Sequence, residues 1–460
     1  MELTAGELAA ATGGEIVAGR ADTMFSSVSI DSRQLSLGAL FVALRDTRDG
    51  HDFLADAFAR GATVALVERD VPSLTTDATL VRVADAMAAL SALARLARTR
   101  VRDATVVAIT GSAGKTVTKD LAAAALRRTR RVHASPASFN NEAGLPITLL
   151  GAPVDVEVVI AEMGARFAGN IADLAALAAP DIGVITHIGL AHAGHLGGRA
   201  GIARVKGELL ESLPPTGFAV LNDECDQSPE LARRTQARVV RVGRSTGSDL
   251  RATSITLDDE LRAHFVLETP WGTTDVALEV RGEHQVDNAS QAAAVALELG
   301  VPLDEVAAGL AAVRTSSQRM EVLRTDGGIV VINDAYNSSP TSAAAAVRSL
   351  ARLDVPGRRI AVLGEMLELG EQSAAEHVAI GALAAAEGID VLIAVGAEAD
   401  HLATGARGGR VSVVTVADPE SASELVSNEV RPGDAVLVKA SRAVGLEWVA
   451  DELARGVGAS

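Results

Sequence analysis

The sequence predicts an α/β fold in three domains, with mostly parallel sheets and alanine-rich helices. The chain has 460 residues, which at about 150 residues per domain indicates three of them. Apolar residues make up 48% of the chain and aromatic residues only 2%. The core must therefore be built from Ala, Val, Leu and Ile, a mixture typical of α/β layers. Apolar β-rich runs also recur with helix-length intervals between them, which favours parallel strands.

The first predicted domain, residues 1–103, is mixed α/β. The segments SVSIDSRQL and ALFVALR are typical of strands, and HDFLADAFARGATVALVE indicates a helix, a glycine stop and a strand. From Asp85 to Arg100, an Asp at a plausible N-cap precedes apolar residues at helical spacing. We therefore expect a helix there that closes the first domain.

The second predicted domain, residues 104–314, carries a mostly parallel sheet. Its apolar runs TVVAIT, VEVVIAEMG and IGVITHIG each end in Gly or polar residues, as buried strands do. Ligands of such sheets collect at the carboxyl ends of the strands. The stretch from Leu250 to Glu279 predicts a small antiparallel excursion, and NASQAAAVALELG predicts a helix that ends at Gly300.

The third predicted domain, residues 315–460, is Rossmann-like. Its strands are expected in GIVVIND, RRIAVLG, DVLIAVG, VSVVTV and DAVLVKAS, which helices separate at βαβ intervals. The segment LGEMLELG does not match the G-x-G-x-x-G fingerprint, so no dinucleotide site is predicted there.

Composition limits the partners and the compartment. The formal net charge is −17, which argues against nucleic acid because a phosphate-backbone binder needs a surplus of Lys and Arg. The single cysteine, Cys225, cannot form an internal disulfide, which fits a reducing compartment. The N-terminal segment has no basic leader, and no run approaches the ~20 apolar residues that span a bilayer. We expect a cytoplasmic protein without a membrane span.

The clearest motif is the strand, glycine-rich turn and helix in VVAITGSAGKTVTKDLAAAAL. Gly111 and Gly114 allow the backbone to approach phosphate, and the helix beginning near Lys115 points free N–H groups at the anion. Lys115 can reach the outer phosphates, and the Thr116 hydroxyl can ligate magnesium. The strict consensus has Gly where this chain has Ile109, so the loop is a shortened variant of the P-loop.

Other polar residues follow predicted strands in the second domain. Glu162 ends one apolar strand and His192 follows another, so the two side chains can complete the coordination of one or two magnesium ions. Asn140 and Asn141 can bind a polar substrate through their amides, although an ordinary turn is the preferred explanation without further context. From its helical context alone, Lys206 is expected to be a surface lysine.

The motifs taken together resemble the Mur ligase family. They are TGSAGKT, NNEAGLP, EMG, HIGLAH, VKGE, GEHQVDNA, QRMEV, NDAYNSSP, LGEMLELG and VLVKASR, and they cover almost the whole chain in the family's order. The resemblance implies a first domain for the UDP end of a substrate, a second for ATP and a third that closes over the incoming amine. It is closest to members that add D-alanyl-D-alanine to UDP-N-acetylmuramoyl-tripeptide in peptidoglycan synthesis, and we expect a monomer.

The resemblance also implies roles for single residues. The ATP loop would be Thr110, Gly111, Ser112, Ala113, Gly114, Lys115 and Thr116, with His284 and Asn288 at the adenine and Arg319 and Asp334 at the ribose and phosphates. Magnesium, as two ions, would be held by Thr116, Glu162, His192 and Lys206, the last as a carbamate formed with carbon dioxide. The residues implied in catalysis are Lys115, His192, Lys206, Arg319 and Asp334. Those implied in substrate binding are Asp31, Ser32, Arg33, Asn140, Asn141, Tyr336, Asn337, Lys439 and Ser441.

Two departures from the family pattern and three alternative functions remain. The chain has Ser339-Pro340 where the family often has Asn-Pro, and Ala440 where a KGS element has Gly. The nearest alternative is the ligase that adds a diamino acid to the muramoyl dipeptide, but its D-N-P-R element is absent from the sequence. Folate polyglutamation uses the same ATP loop without the UDP-binding domain. A P-loop regulatory NTPase would hydrolyse ATP without joining substrates.

Overall fold

Three large sheets organise the chain. The computed structural model describes residues 2–71, 78–190, 193–314 and 317–456. Within them lie sheets of five, nine and six strands and a separate two-stranded pair. Most neighbouring strands of the three sheets are parallel, so the predicted α/β class is confirmed. No described helix combines the length and the apolar character that a membrane crossing requires.

The N-terminal unit, residues 2–100, contains the five-stranded sheet in the order β2-β7-β6-β5-β4. Only β2 runs antiparallel to its neighbour. As predicted, Asp85 caps the last helix, where its Oδ1 accepts a hydrogen bond from the Ala88 N–H at 2.9 Å. The elements are β1 (Leu3–Thr4), α1 (Ala5–Thr12), β2 (Glu15–Ala18), β3 (Met24–Phe25), β4 (Ser27–Ser29), β5 (Ala39–Val42), α2 (Leu54–Ala59), β6 (Ala62–Val67), β7 (Thr79–Arg82) and α3 (Ala86–Arg100).

The central unit, residues 105–314, contains the nine-stranded sheet in the order β16-β15-β14-β13-β12-β11-β8-β10-β9. Strands β14 to β16 pair antiparallel, which confirms the predicted excursion. The elements are β8 (Thr105–Thr110), α4 (Lys115–Leu126), β9 (Val132–Ala134), α5 (Gly144–Leu150), β10 (Val158–Glu162), α6 (Asn170–Ala178), β11 (Ile182–Ile185), α7 (Ala193–Leu196), α8 (Gly198–Glu211), β12 (Phe218–Asn222), α9 (Ser228–Ala232), β13 (Arg238–Gly243), β14 (Leu250–Leu257), β15 (Arg262–Thr269), β16 (Gly272–Arg281), α10 (Gln285–Glu298) and α11 (Leu303–Ala311).

The C-terminal unit, residues 317–456, contains the six-stranded sheet in the order β17-β18-β22-β19-β20-β21. The five predicted strands are present, and the edge strand β17, which pairs antiparallel with β18, was not predicted. The elements are β17 (Glu321–Arg324), β18 (Val330–Asn333), α12 (Pro340–Arg352), β19 (Arg359–Leu363), α13 (Ser373–Ala386), β20 (Val391–Val395), α14 (Ala399–Ala406), β21 (Ser412–Val416), α15 (Pro419–Glu429), β22 (Ala435–Lys439) and α16 (Glu447–Gly456).

Alanine packing determines where the phosphate-loop helix lies. Helix α10 is buried over most of its length, including the run Ala292–Ala294, and it packs against α4. Small side chains allow two helix backbones to approach closely, because little volume separates them. The first turn of α10 therefore lies beside the first turn of α4.

The central and C-terminal units meet at a contact of backbone against backbone. The Gly194 N–H donates to the Glu368 carbonyl oxygen at 3.0 Å. A Cβ added to Gly194 would lie 2.9 Å from the Gly370 nitrogen, and one added to Gly370 would lie 2.7 Å from the Gly194 Cα. We call this contact the glycine pair; it leaves no room for a side chain on either partner.

Candidate active site

A cavity of about 830 Å³ lies between the central and C-terminal units. Most of its lining follows the carboxyl ends of parallel strands, the edge at which open α/β sheets bind ligands. The lining segments after central strands are 112–117, 162–167, 186–187 and 222–224, and those after C-terminal strands are 334–342, 367–368 and 439–443. Two parallel sheets thus direct their binding edges into one cavity.

The phosphate loop lies on the central side of this cavity. Gly111 and Gly114 have φ of +153° and +82°, which other residues rarely adopt. A Cβ on Gly111 would overlap the Thr186 hydroxyl, and one on Gly114 would lie 3.1 Å from the Asn288 Cγ. Both glycines are therefore required by the backbone angle and by close neighbours. Ser112 and Ala113 line the cavity, whereas Thr110 is fully buried beneath it.

Lys115 begins α4 and folds back over the loop. Its Nζ donates to the Gly111 carbonyl oxygen at 2.9 Å, so the ammonium is held at the mouth of the loop. Desolvation lowers the pKa of Lys115, and the nearby positive charge of Arg319 lowers it further, while the Glu162 carboxylate opposes the shift. A phosphate bound at the N-terminus of α4 would therefore lie close to this ammonium.

Glu162 is the centre of a buried polar cluster beside the loop. It is 1% exposed, and its Oε2 accepts from the Thr116 hydroxyl at 2.9 Å. Its Oε1 accepts from the Asn140 amide at 2.8 Å. The Ser138 hydroxyl lies 3.2 Å from Thr116 Oγ1. The hydroxyl and carboxylate oxygens that the sequence assigned to magnesium are therefore adjacent.

Lys206 is buried, so the expectation of a surface lysine is wrong. It lies on α8 with 1% exposure and lines the cavity. The reason is that this face of α8 packs on the central sheet beside β8 and β11. Within the described residues its ammonium has no hydrogen bond or ion pair, and burial lowers the pKa of Lys206 well below its ordinary value, with Lys115 adding repulsion. A neutral amine is favoured there.

The C-terminal unit brings three of the implied residues to the opposite wall. Arg319 Nη2 donates to the Ser138 hydroxyl at 3.0 Å, across the boundary between the units. Asp334 forms its hydrogen bonds within its own unit. Its Oδ2 accepts from Lys439 Nζ at 2.6 Å, and its Oδ1 accepts from the Met320 N–H at 3.0 Å. Lys439, 2% exposed, also donates to the Asn337 carbonyl oxygen at 2.9 Å.

His284 and Asn288 lie together at the start of α10. Gln285 links them: its Nε2 lies 3.1 Å from His284 Nε2, and its Oε1 accepts from the Asn288 amide at 2.8 Å. Burial lowers the pKa of His284, so the ring is neutral near pH 7. All three residues line the cavity next to the phosphate loop.

Of the remaining predicted residues, some line the cavity and others lie elsewhere. Tyr336, Asn337 and Ser441 line the cavity, and Ser441 Oγ accepts from the Leu367 N–H at 2.9 Å. Asn141 lines it too, while its Oδ1 accepts from the Gly144 N–H. The described residues of the N-terminal unit, among them Asp31, Ser32 and Arg33, are not part of the lining; Asp31 and Arg33 form an ion pair of 2.8 Å. His192 lies outside the described residues.

Sequence reasoning missed several lining residues. Ser138 was missed although it contacts both Thr116 and Arg319. His187 also lines the cavity, and burial lowers its pKa. Others are Asn222, Glu224, Asp287 and Arg442. Asn222 had a signal in its position at a strand end, and Asp287 and Arg442 lie within the quoted motifs GEHQVDNA and VLVKASR; the place of Ser138 depends on tertiary packing.

Three domain models of one family match this chain in order. They are the Mur ligase family, catalytic domain, at residues 25–98, the Mur ligase middle domain at 109–296, and the Mur ligase, glutamate ligase domain, at 318–442. The chain is 41% identical to a UDP-N-acetylmuramoyl-tripeptide–D-alanyl-D-alanine ligase of Mycobacterium bovis over 98% of both chains.

Two solved structures are also similar. MurF from Acinetobacter baumannii superposes with a TM-score of 0.87 at 30% identity, covering 99% of each chain. MurF ligase from Thermotoga maritima, solved in complex with ADP, superposes with a TM-score of 0.78 at 29% identity, covering 94% of this chain and 97% of the other. With the sequence match over nearly the whole length, these findings establish that the chain belongs to the Mur ligase family.

Proposed function

We propose that this protein is an ATP-dependent ligase that joins the amine of D-alanyl-D-alanine to the terminal carboxylate of UDP-N-acetylmuramoyl-tripeptide. The names of its relatives support this substrate pair. The observation that carries the proposal is the cavity between two sheet edges, in which Arg319 reaches from the C-terminal unit to Ser138 beside the phosphate loop. Such an arrangement can hold a nucleotide on one wall and a second substrate on the other.

The reaction follows from the need to activate a carboxylate. The tripeptide carboxylate attacks the γ-phosphorus of ATP and ADP leaves, which gives an acyl phosphate. The amine of the dipeptide then attacks the acyl carbon, loses a proton, and inorganic phosphate leaves. The α4 N-terminus and Lys115 stabilise charge on the transferring group. Arg319 adds positive charge from the other wall, and closure of the two units over the cavity would exclude water from the acyl phosphate.

The residues around Glu162 fit a magnesium ion. Mg²⁺ prefers oxygen ligands, and it usually keeps several waters and substrate phosphates beside one or two protein carboxylates. The Thr116 hydroxyl and the Glu162 carboxylate supply that donor set next to the phosphate loop. The described residues contain no group of three or more His, Cys, Asp or Glu suited to a metal. A bound ion would neutralise phosphate charge at this position.

Lys206 supports a second, modified ligand. A neutral amine adds to carbon dioxide and releases a proton, which leaves a carbamate anion on Nζ. The depressed pKa of Lys206 provides the neutral amine, and the carbamate would place a negative charge near the Lys115 ammonium. We propose this carbamate as a further oxygen donor facing the phosphates.

We also propose which substrate each of the three units binds. Residues 1–103 would bind the UDP end through Asp31, Ser32 and Arg33, residues 104–314 would bind ATP, and residues 315–460 would carry the incoming dipeptide. Tyr336 and Ser441 line the wall on which that dipeptide would lie.

One incubation separates this function from its alternatives. The protein is supplied with ATP, both UDP-N-acetylmuramoyl-tripeptide and UDP-N-acetylmuramoyl-dipeptide, D-alanyl-D-alanine and a diamino acid, and products are identified by mass. The expected result is the pentapeptide product with one ADP and one phosphate per product. An adduct formed only from the muramoyl dipeptide and a diamino acid would favour the sister ligase. Phosphate release without any adduct would favour a regulatory NTPase and refute the proposal.

A further inference from the structure

Arg442 is a cation of the cavity wall that forms no ion pair with any described residue. It follows Ser441 in the turn Arg442–Val444, is exposed, and lines the cavity. The structure gives its guanidinium no hydrogen bond and no ion pair to any described residue. Its guanidinium lies over the ring of Tyr336, whose centroid is 5.1 Å from the Arg442 Cζ.

The other cations of the cavity are already engaged or buried. Lys115 donates to a backbone carbonyl and Arg319 donates to Ser138. Lys439 is paired with Asp334, and Arg166 Nε lies 3.9 Å from a Glu368 carboxylate oxygen. Arg442 is therefore an exposed lining cation that forms no ion pair with a described residue, and a planar guanidinium matches a carboxylate in bidentate geometry.

Arg442 and Arg319 both lie close to the ring of Tyr336, the one tyrosine of the chain. This shared contact limits the distance between the two guanidinium groups. The Arg319 Cζ lies 3.7 Å from the same ring centroid, so the two guanidinium carbons are at most about 9 Å apart. A dipeptide spans about 7 Å at ~3.5 Å per residue. An amine placed beside Arg319 would therefore put the far carboxylate of a dipeptide within reach of Arg442.

We propose that Arg442 binds the terminal carboxylate of the incoming dipeptide and selects for a free acid at that end. The inference rests on the proposed function, because it takes the second substrate to be a dipeptide with a free carboxyl terminus. It assigns to Arg442 a specificity role in binding, separate from phosphate transfer at the opposite wall.

The test compares two amine substrates in four proteins. D-alanyl-D-alanine and its C-terminal amide are used with the wild type, Arg442→Met, Arg442→Lys and the control Arg407→Met. Arg407 is exposed, outside the cavity lining, and without a recorded side-chain partner among the described residues. Thermal unfolding of each variant checks that the fold is kept.

We expect Arg442→Met to lower kcat/KM for the free acid by roughly ten- to a hundredfold, the range for a charge-assisted hydrogen bond. The amide should be used as well by this variant as by the wild type, so the preference for the acid disappears. Arg442→Lys should keep part of that preference, and Arg407→Met all of it. KM for ATP and for the UDP-tripeptide should not change.

An equal loss with acid and amide, or a raised KM for ATP or the UDP-tripeptide instead, would overturn the assignment. These outcomes differ from a failure of the proposed function, in which the wild type itself forms no product with D-alanyl-D-alanine. A wild type that ligates normally beside an Arg442→Met variant with an unchanged acid preference refutes the role of Arg442 alone.

Discussion

Replacing Gly114 with alanine should destabilise the protein by about 2–5 kcal/mol and weaken nucleotide binding at least tenfold. The backbone contributes first, because Gly114 has a φ of +82° and the left-handed region costs a residue with a Cβ about 1–2 kcal/mol. The new methyl also overlaps the Asn288 amide oxygen, so that side chain must turn away. Asn288 would then lose its bonds to Gln285 and Thr118, each worth about 0.5–1.5 kcal/mol.

Gly408→Ala provides the matched control. Gly408 has a φ of +88°, and a Cβ there would meet nothing within 4 Å. This variant should lose only the backbone contribution, about 1–2 kcal/mol, and should bind nucleotide normally. The assay is denaturant unfolding of both variants, with calorimetric titration of ADP and magnesium.

A double variant tests the steric part of the reasoning. If Asn288 has already lost its hydrogen bonds in Gly114→Ala, adding Asn288→Ala should reduce stability by much less than it does in the wild type. The reasoning is refuted if Gly114→Ala is no less stable than Gly408→Ala, or if the effects of the two substitutions simply add.

Three further predictions concern buried or half-buried basic side chains. Lys119→Met should lower stability by ~3 kcal/mol, because the ammonium donates to two carbonyls of residues 135–137 at 2.7 Å each and both would lose their partner; unfolding unchanged from wild type would contradict this. The stability of the wild type relative to His133→Gln should fall as the pH drops below about 6.5, since burial lowers the pKa of His133 in the folded protein and protonation of this histidine in the unfolded chain then favours unfolding. Parallel urea titrations across pH 5–8 measure this, and a pH-independent difference would exclude it. Ligation by the wild type should fall when carbon dioxide is removed from the buffer and recover with bicarbonate, whereas Lys206→Met should be inactive in both; full wild-type activity without carbon dioxide would rule out the carbamate.

Consecutive residues made the phosphate loop predictable from the sequence. The strand, the two glycines and the Lys115–Thr116 start of the helix act through local backbone geometry, which neighbouring residues determine. Glu162 could also be placed, because parallel strands end at one edge of a sheet. The antiparallel strands β14 to β16 were also predicted, from the irregular stretch between Leu250 and Glu279.

Packing between distant segments explains what the sequence did not reveal. Ser138 meets Arg319 across 181 positions of the chain, and no local pattern encodes where two loops will touch. Lys206 looked exposed because helical spacing does not say which face of α8 will cover the sheet. Strand β17 was missed because a four-residue edge strand carries too short a pattern to stand out from a loop.

The glycine pair has a consequence for how this enzyme can vary. Gly194 and Gly370 touch through main-chain atoms, so the fit between these two residues depends on shape. A compensating substitution on the partner loop cannot restore the fit, since any added atom would push the two loops apart. Tolerance to change at these two positions should therefore be low even though neither residue lines the cavity.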